Sequence, residues 1–198
     1  MVDLFNYTRR ASSVAHVGEL DLGGNNPIRI QSMTTTNTND TEACVRQAEE
    51  IIKAGGELVR FTTQGSREAE NMKNINAGIR ADGFTTPLVA DIHFNPNVAD
   101  VAALYCEKVR INPGNYVDPA RKFIKQEYTD EEYAHELQKI EERFVPFLNI
   151  CKENHTAIRI GVNHGSLSDR IRNRYGDTPE GIVESCMEFL RICKKENF

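Results

Sequence analysis

The chain has no tryptophan, and its five cysteines, Cys44, Cys106, Cys151, Cys186 and Cys193, stand singly with no Cys-x-x-Cys among them. That spacing excludes a compact thiol metal motif and gives no sign of a disulfide framework. The thiols read instead as reduced and buried, behaving as small apolar side chains. No run approaches the roughly 20 apolar residues needed to cross a bilayer. The opening Met-Val-Asp-Leu-Phe-Asn-Tyr also lacks the basic and apolar regions of a secretory leader. A cytoplasmic location with no membrane partner is expected. An excess of positive charge is missing too: the formal net charge is -5, so a broad nucleic-acid surface is excluded. With 39% hydrophobic and 27% charged residues over 198 positions, the composition is that of an ordinary globular chain.

Against that background, three segments repeat one pattern. Leu58 to Thr63, Lys108 to Asn112 and Ala157 to Asn163 read as strands, each carrying one arginine in a largely apolar run, and the last two finish in asparagine. Residues two apart on a strand share a face. Arg60 therefore lies with Thr62, opposite Val59 and Phe61; Arg110 lies with Asn112, opposite Val109 and Ile111. Arg159, Gly161 and Asn163 oppose Ile158, Ile160 and Val162. In Pro-Leu-Val-Ala-Asp-Ile-His, Asp91 and His93 share a face at the end of an apolar strand. A buried arginine is costly unless an anion meets it, so three on parallel strands point to one shared anionic ligand.

The rest of the chain supplies the frame. A hairpin is expected from Val14 to Gly18 and Glu19 to Leu22, closed by Gly23-Gly24-Asn25-Asn26, plugging or flanking a sheet. A strand from Ile28 to Thr34 leads, through a cap at Asn39, Asp40 or Thr41, to a helix with Cys44, Ala48, Ile51 and Ile52 on one face. Ala69, Met72, Ile75 and Ile79 mark a second helix starting at Ser66, and Asn95-Pro96 opens a short one running to Cys106. Tyr116 to Arg143 reads as an inserted helical stretch with Tyr133, Leu137, Ile140 and Phe144 as its stripe. Pro146 is expected to kink it or to begin a second helix. Thr178-Pro179 starts a helix carrying Ile182, Val183, Cys186, Phe189, Leu190 and Cys193.

Strands expected at Ile28, Leu58, Pro87, Lys108 and Ala157 recur about every 32 residues, close to the roughly 31 per unit of a (β/α)8 barrel of about 250 residues. The fold expected is α/β: a partial (β/α)8 barrel of about five strand-helix units after an N-terminal hairpin. The 198 residues would then be the N-terminal portion of a barrel from a longer protein. An open doubly wound sheet is the alternative. In a barrel of this type the active site lies at the C-terminal ends of the strands, where the polar residues above collect. Arginine suits phosphate because its planar fork donates parallel charge-assisted hydrogen bonds. Asn112 and Asn163 add neutral donors, and Asp91 is a candidate acid-base or substrate-hydroxyl partner. Asp91, His93 and His164 form a weak metal trio with no supporting acidic cluster, and no metal site is expected. Ser66 after Gly65 reads as a plain helix cap rather than a phosphate contact.

Five strings carry a resemblance: Ile30-Gln31-Ser32-Met33-Thr34-Thr35-Thr36, Leu58-Val59-Arg60, Pro87 through Phe94, Val109 through Asn115, and Arg159 through Leu167. Together they resemble the N-terminal barrel of the 4-hydroxy-3-methylbut-2-enyl diphosphate synthases, iron-sulfur enzymes of isoprenoid biosynthesis. The resemblance implies reductive opening of 2-C-methyl-erythritol 2,4-cyclodiphosphate, with electrons passing from ferredoxin or flavodoxin through a [4Fe-4S] cluster. It places diphosphate binding on Arg60, Arg110 and Arg159, with Asn112 and Asn163 beside them, and matches Asp91 to a barrel carboxylate that contacts substrate; with the strand-end reading, Asp91 is the expected catalytic residue and His93 a further expected substrate contact. It also implies cluster ligands in a C-terminal domain outside these residues, a homodimer, and no turnover by this portion alone. A phosphate-binding barrel enzyme without a cluster, of the pterin-synthase kind, and a non-catalytic ligand-binding module are the competing readings.

Overall fold

The computed structural model of the protein describes residues 10–118 and 127–198. A hairpin comes first, β1 (Val14–Val17) paired antiparallel with β2 (Leu20–Gly23). The tight turn falls at Gly18-Glu19, where Gly18 takes a positive φ of 57°. The Gly23-Gly24-Asn25-Asn26 segment therefore leads out of the hairpin and does not close it. Five parallel strands follow, β3 (Gln31–Met33), β4 (Leu58–Thr63), β5 (Leu88–Ile92), β6 (Lys108–Ile111) and β7 (Ala157–Ile160), hydrogen-bonded in sequence order. Between and after them run α1 (Thr41–Lys53), α2 (Ser66–Ala81), α3 (Pro96–Ala102), α4 (Asp130–Asn154), α5 (Asp169–Tyr175) and α6 (Pro179–Lys195). Strands that neighbour one another in strict chain order form the wall of a barrel; a doubly wound sheet reverses its order at a switch point.

Local chemistry sets the helix starts. Asp40 accepts from the Ala43 amide at 3.0 Å, Asn95 accepts from Asn97 with Pro96 following, and Thr178 accepts from Gly181. Gly65, rather than Ser66, is the N-cap of α2, and Glu68 reaches back to accept from the Gly65 amide at 3.1 Å. α4 runs unbroken for 25 residues with Pro146 inside it, so no second helix begins there. Phe144, Phe147 and Phe189, all fully buried, pack edge-on or tilted around Tyr116 and anchor that turn of helix in the core. The expected insertion from Tyr116 to Arg143 is thus partly the crossover helix itself; its residues 119–126 lie outside the described residues.

Alternation sorts the sheet into two faces. Val59, Phe61, Leu88, Ala90, Ile92, Val109 and Ile111 face the helices and join one core. On the opposite, inner face, Leu58 and Val89 pack with Ala157 against Val17, Leu20 and Leu22 of the hairpin. The hairpin therefore plugs the N-terminal end of the sheet and leaves the other end open. β3 is shorter than its apolar pattern predicts, because the Ile30 amide donates to the Glu57 carboxylate at 2.8 Å instead of to a strand, and Ile28 is exposed. Among the described residues no helix is long and apolar enough to cross a membrane.

Candidate anion site at the strand ends

The ladder registers set the inner face. Thr62, Asp91, Arg110 and Arg159 align across β4 to β7, and Arg60, Val89, Lys108 and Ala157 align one residue pair below. Asp91 is 2% exposed and sits between two guanidinium groups. Arg60 Nη2 donates to its Oδ2, and Arg110 Nη1 donates to its Oδ1 at 3.2 Å. Both oxygens of the carboxylate are thereby engaged, the geometry of a counter-ion that orients two forks. Arg110 Nη2 also donates to the Gly161 carbonyl at 2.6 Å. A Cβ at position 161 would lie 2.1 Å from Arg110 Nε, so the glycine in Arg-Ile-Gly-Val-Asn lets the Arg110 side chain cross β7.

The third arginine differs. Arg159 is exposed, and its side chain makes no hydrogen bond or ion pair with the described residues. The expectation of three buried arginines holds only in part: Arg60 and Arg110 are part-buried, whereas Arg159 stands on the edge strand β7 and is exposed. Lys108, which the strand pattern placed on the same face as Arg110, is the residue that sequence reasoning passed over. It is 7% exposed, and burial, with the charges of Arg159 and Arg60, brings its pKa down to about 8. Burial likewise pushes Arg110 down, opposed by Asp91 and reinforced by Arg60 and Arg159. Four cationic side chains thus share this face with one carboxylate. That imbalance on a part-buried face favours an anion.

Asn112, which directly follows β6, and Asn163, three residues beyond the end of β7, act in the same way. Each caps a 3₁₀ turn, Pro113–Asn115 and His164–Ser166, by accepting through Oδ1 from a glycine amide two residues on, Gly114 at 3.2 Å and Gly165 at 2.9 Å. Asn112 Nδ2 further donates to Ser166 Oγ at 2.7 Å, which ties one turn to the other. Asn112 is therefore mostly a structural link, whereas Asn163 is exposed and its amide nitrogen has no partner among the described residues. His93 Nε2 lies 3.2 Å from Asp91 Oδ2 without hydrogen-bonding geometry, and it and Arg60 Nε are buried polar atoms with no partner. His164 pairs with Asp177, away from Asp91 and His93, so the three do not assemble.

The thiols do not fit an iron-sulfur cluster. Cys44, Cys151, Cys186 and Cys193 sit on helices α1, α4 and α6, and Cys106 follows α3. Burial raises the pKa of every one, to about 12 for Cys151 and about 11 for Cys193, which opposes the thiolate form that iron requires. Among the described residues no group of three or more His, Cys, Asp or Glu side chains is placed to hold a metal ion.

Residues 12–198 match the protein family described as the GcpE TIM-barrel domain. A protein of Phocaeicola vulgatus named 4-hydroxy-3-methylbut-2-en-1-yl diphosphate synthase (flavodoxin) is 76% identical over 197 residues, covering 100% of this chain and 32% of that protein. Proteins of the same name from Bacteroides thetaiotaomicron and Akkermansia muciniphila are 74% and 53% identical, covering 100% and 96% of this chain and 32% of each relative. The chain spans about a third of the length of the curated relatives it matches.

Proposed function

The chain belongs to the GcpE TIM-barrel domain family, and on that premise we propose that it is the substrate-holding part of a 4-hydroxy-3-methylbut-2-enyl diphosphate synthase. Its ligand in this reading is 2-C-methyl-erythritol 2,4-cyclodiphosphate. The observation that carries the reading is the inner face that Arg60, Lys108, Arg110 and Arg159 share, where Asp91 is the one carboxylate of the described parallel strands and pairs, of these four, with Arg60 and Arg110 alone. A cyclic diphosphate supplies the missing negative charge and enough oxygens for several guanidinium forks. Asp91 holds Arg60 and Arg110 in place before the ligand arrives, so less ordering remains to be done on binding. Arg159, Asn163 and the buried nitrogens of Arg60 and His93 are donors that a ligand would complete. Fixing the diphosphate fixes the carbons attached to it, and positioning of that kind can supply about 7–11 kcal/mol of a barrier.

Reducing equivalents would arrive from outside these residues, through a [4Fe-4S] cluster with its ligands elsewhere in the parent protein and with flavodoxin as donor. A homodimer, a cytoplasmic location and the assignment of residues 1–198 to one substrate-binding barrel portion belong to the same reading. The test is kinetic. The parent protein, reconstituted with iron and sulfide and supplied with a chemical reductant, is expected to consume the cyclic diphosphate. Arg110→Ala should raise KM at least tenfold; kinetics unchanged by Arg110→Ala would overturn the site.

A further inference from the structure

Arg170, in the first turn of α5, is 2% exposed and yet fully ionic in its contacts. Its Nη1 and Nη2 donate to the two carboxylate oxygens of Glu188 on α6 at 2.7 and 2.8 Å. Its Nε and Nη2 donate to Asp118 at 3.2 and 3.0 Å. Tyr133 on α4 donates its hydroxyl to Glu188, and its ring centroid lies 4.7 Å from the Arg170 guanidinium. One guanidinium therefore joins α4, α5, α6 and the segment after β6, with four of its donor contacts made to carboxylates. Isolated buried ion pairs of this kind seldom raise stability above that of an apolar replacement, so the network calls for a reason in where it sits.

Its location supplies one. Asp118 follows the turn at Pro113–Asn115 closely in the chain, and Arg170 follows the turn at His164–Ser166. Those two turns already touch: Asn112 Nδ2 donates to Ser166 Oγ, and a Cβ on Gly114 would lie 1.8 Å from the Ser166 carbonyl oxygen. The Asn112–Ser166 bond fastens the pair on the strand side, and the Arg170–Asp118 fork fastens it on the helix side. Asn163 and the ends of the strands bearing Arg110 and Arg159 hang from this doubly fastened pair. We propose that Arg170 is a positioning residue for the anion site, holding the two asparagine-capped turns in register through Asp118 while Glu188 anchors it to α6. This inference rests on the reading of the site given above.

The experiment uses the full-length parent protein with its cluster reconstituted and measures KM, kcat and the thermal midpoint for four variants. Asp118→Asn keeps the side-chain volume and loses the second arm of the fork. It is expected to raise KM about tenfold with kcat nearly unchanged, at temperatures well below its thermal midpoint. Arg170→Lys, which keeps the charge without the planar fork, is expected to give the same split. Tyr133→Phe removes one hydrogen bond to the Glu188 oxygen that also accepts from Arg170 Nη1, keeps both Arg170–carboxylate forks and the ring beside the guanidinium, and touches neither turn, so it should lower the thermal midpoint and leave KM unchanged. Arg110→Ala reports on the site itself. If it raises KM while Asp118→Asn and Arg170→Lys fold and keep wild-type KM, the positioning role is overturned and the site stands. If Arg110→Ala leaves KM unchanged, the site reading falls, and the positioning role with it.

Discussion

Lys108 faces the inside of the sheet in the same strand as Arg110, and its ammonium group carries the cost of that placement. Its pKa, lowered from 10.5 to about 8 by burial and by Arg159 and Arg60, means that the unfolded chain binds a proton between those values that the folded chain releases. The penalty of keeping Lys108 charged is full below pH 8, and it fades as pH rises from about 8 toward 10.5. Lys108→Met should therefore be more stable than the wild type at pH 7, with the advantage shrinking by pH 10; urea midpoints at pH 7, 8, 9 and 10 measure it. The comparison between the two proteins matters because the buried thiols act in the opposite direction. Their raised pKa values make the unfolded state lose protons first above about pH 9, equally in both proteins. A stability difference constant across this range would remove Lys108 as the titrating group. Alternation in Lys-Val-Arg-Ile-Asn was enough to place Lys108 beside Arg110 in the sequence. Its perturbation came from neighbours on other strands, which no local pattern contains.

At the scale of elements, the same short pattern has two outcomes. Asn112-Pro113-Gly114 and Asn163-His164-Gly165 each form a capped 3₁₀ turn, and neither glycine has a positive φ. Alanine is therefore acceptable to the backbone at both. What differs is the surroundings. A Cβ at Gly114 would meet the Ser166 carbonyl oxygen at 1.8 Å, whereas among the described residues the nearest atom to one at Gly165 is Asn163 Oδ1 at 3.5 Å. Gly114→Ala should cost about 1–3 kcal/mol, the range of overpacking, and more than Gly165→Ala. Chemical denaturation of the two variants checks this; equal stabilities would refute the contact between the turns. The helix caps at Asn95 and Thr178, and the first one to within three residues around Asp40, were legible because a cap is satisfied within a few residues. At Pro146 the alternative of a second helix failed for the converse reason: aromatic packing around Tyr116 carries α4 through a residue that intrinsic preference places at a helix end.

In the molecule as a whole, the sheet has an outer edge at β3 and another at β7, and among the described residues no strand pairs with either. Open edges present rows of unpaired amide and carbonyl groups that invite pairing with another chain. The 198-residue chain by itself is expected to self-associate with rising concentration, which sedimentation velocity would detect. A monodisperse monomer over a hundredfold concentration range would contradict it. The exposure of Arg159 has the same origin, since it stands on the edge strand β7. The sequence by itself determined the strand-helix alternation, the near-constant repeat that marks a barrel wall, and the face on which Arg60, Asp91, His93, Arg110 and Arg159 stand, because side-chain direction along a strand alternates whatever surrounds it. Tertiary structure decided the rest. It set the ladder register that puts Asp91 between Arg60 and Arg110, and the hairpin as the plug of the N-terminal end. It also decided the contact of Gly114 with Ser166 and the meeting of Arg170 with Asp118 and Glu188. These are contacts between residues distant in the chain, and their geometry follows from how the helices pack on the sheet rather than from any preference of the residues themselves.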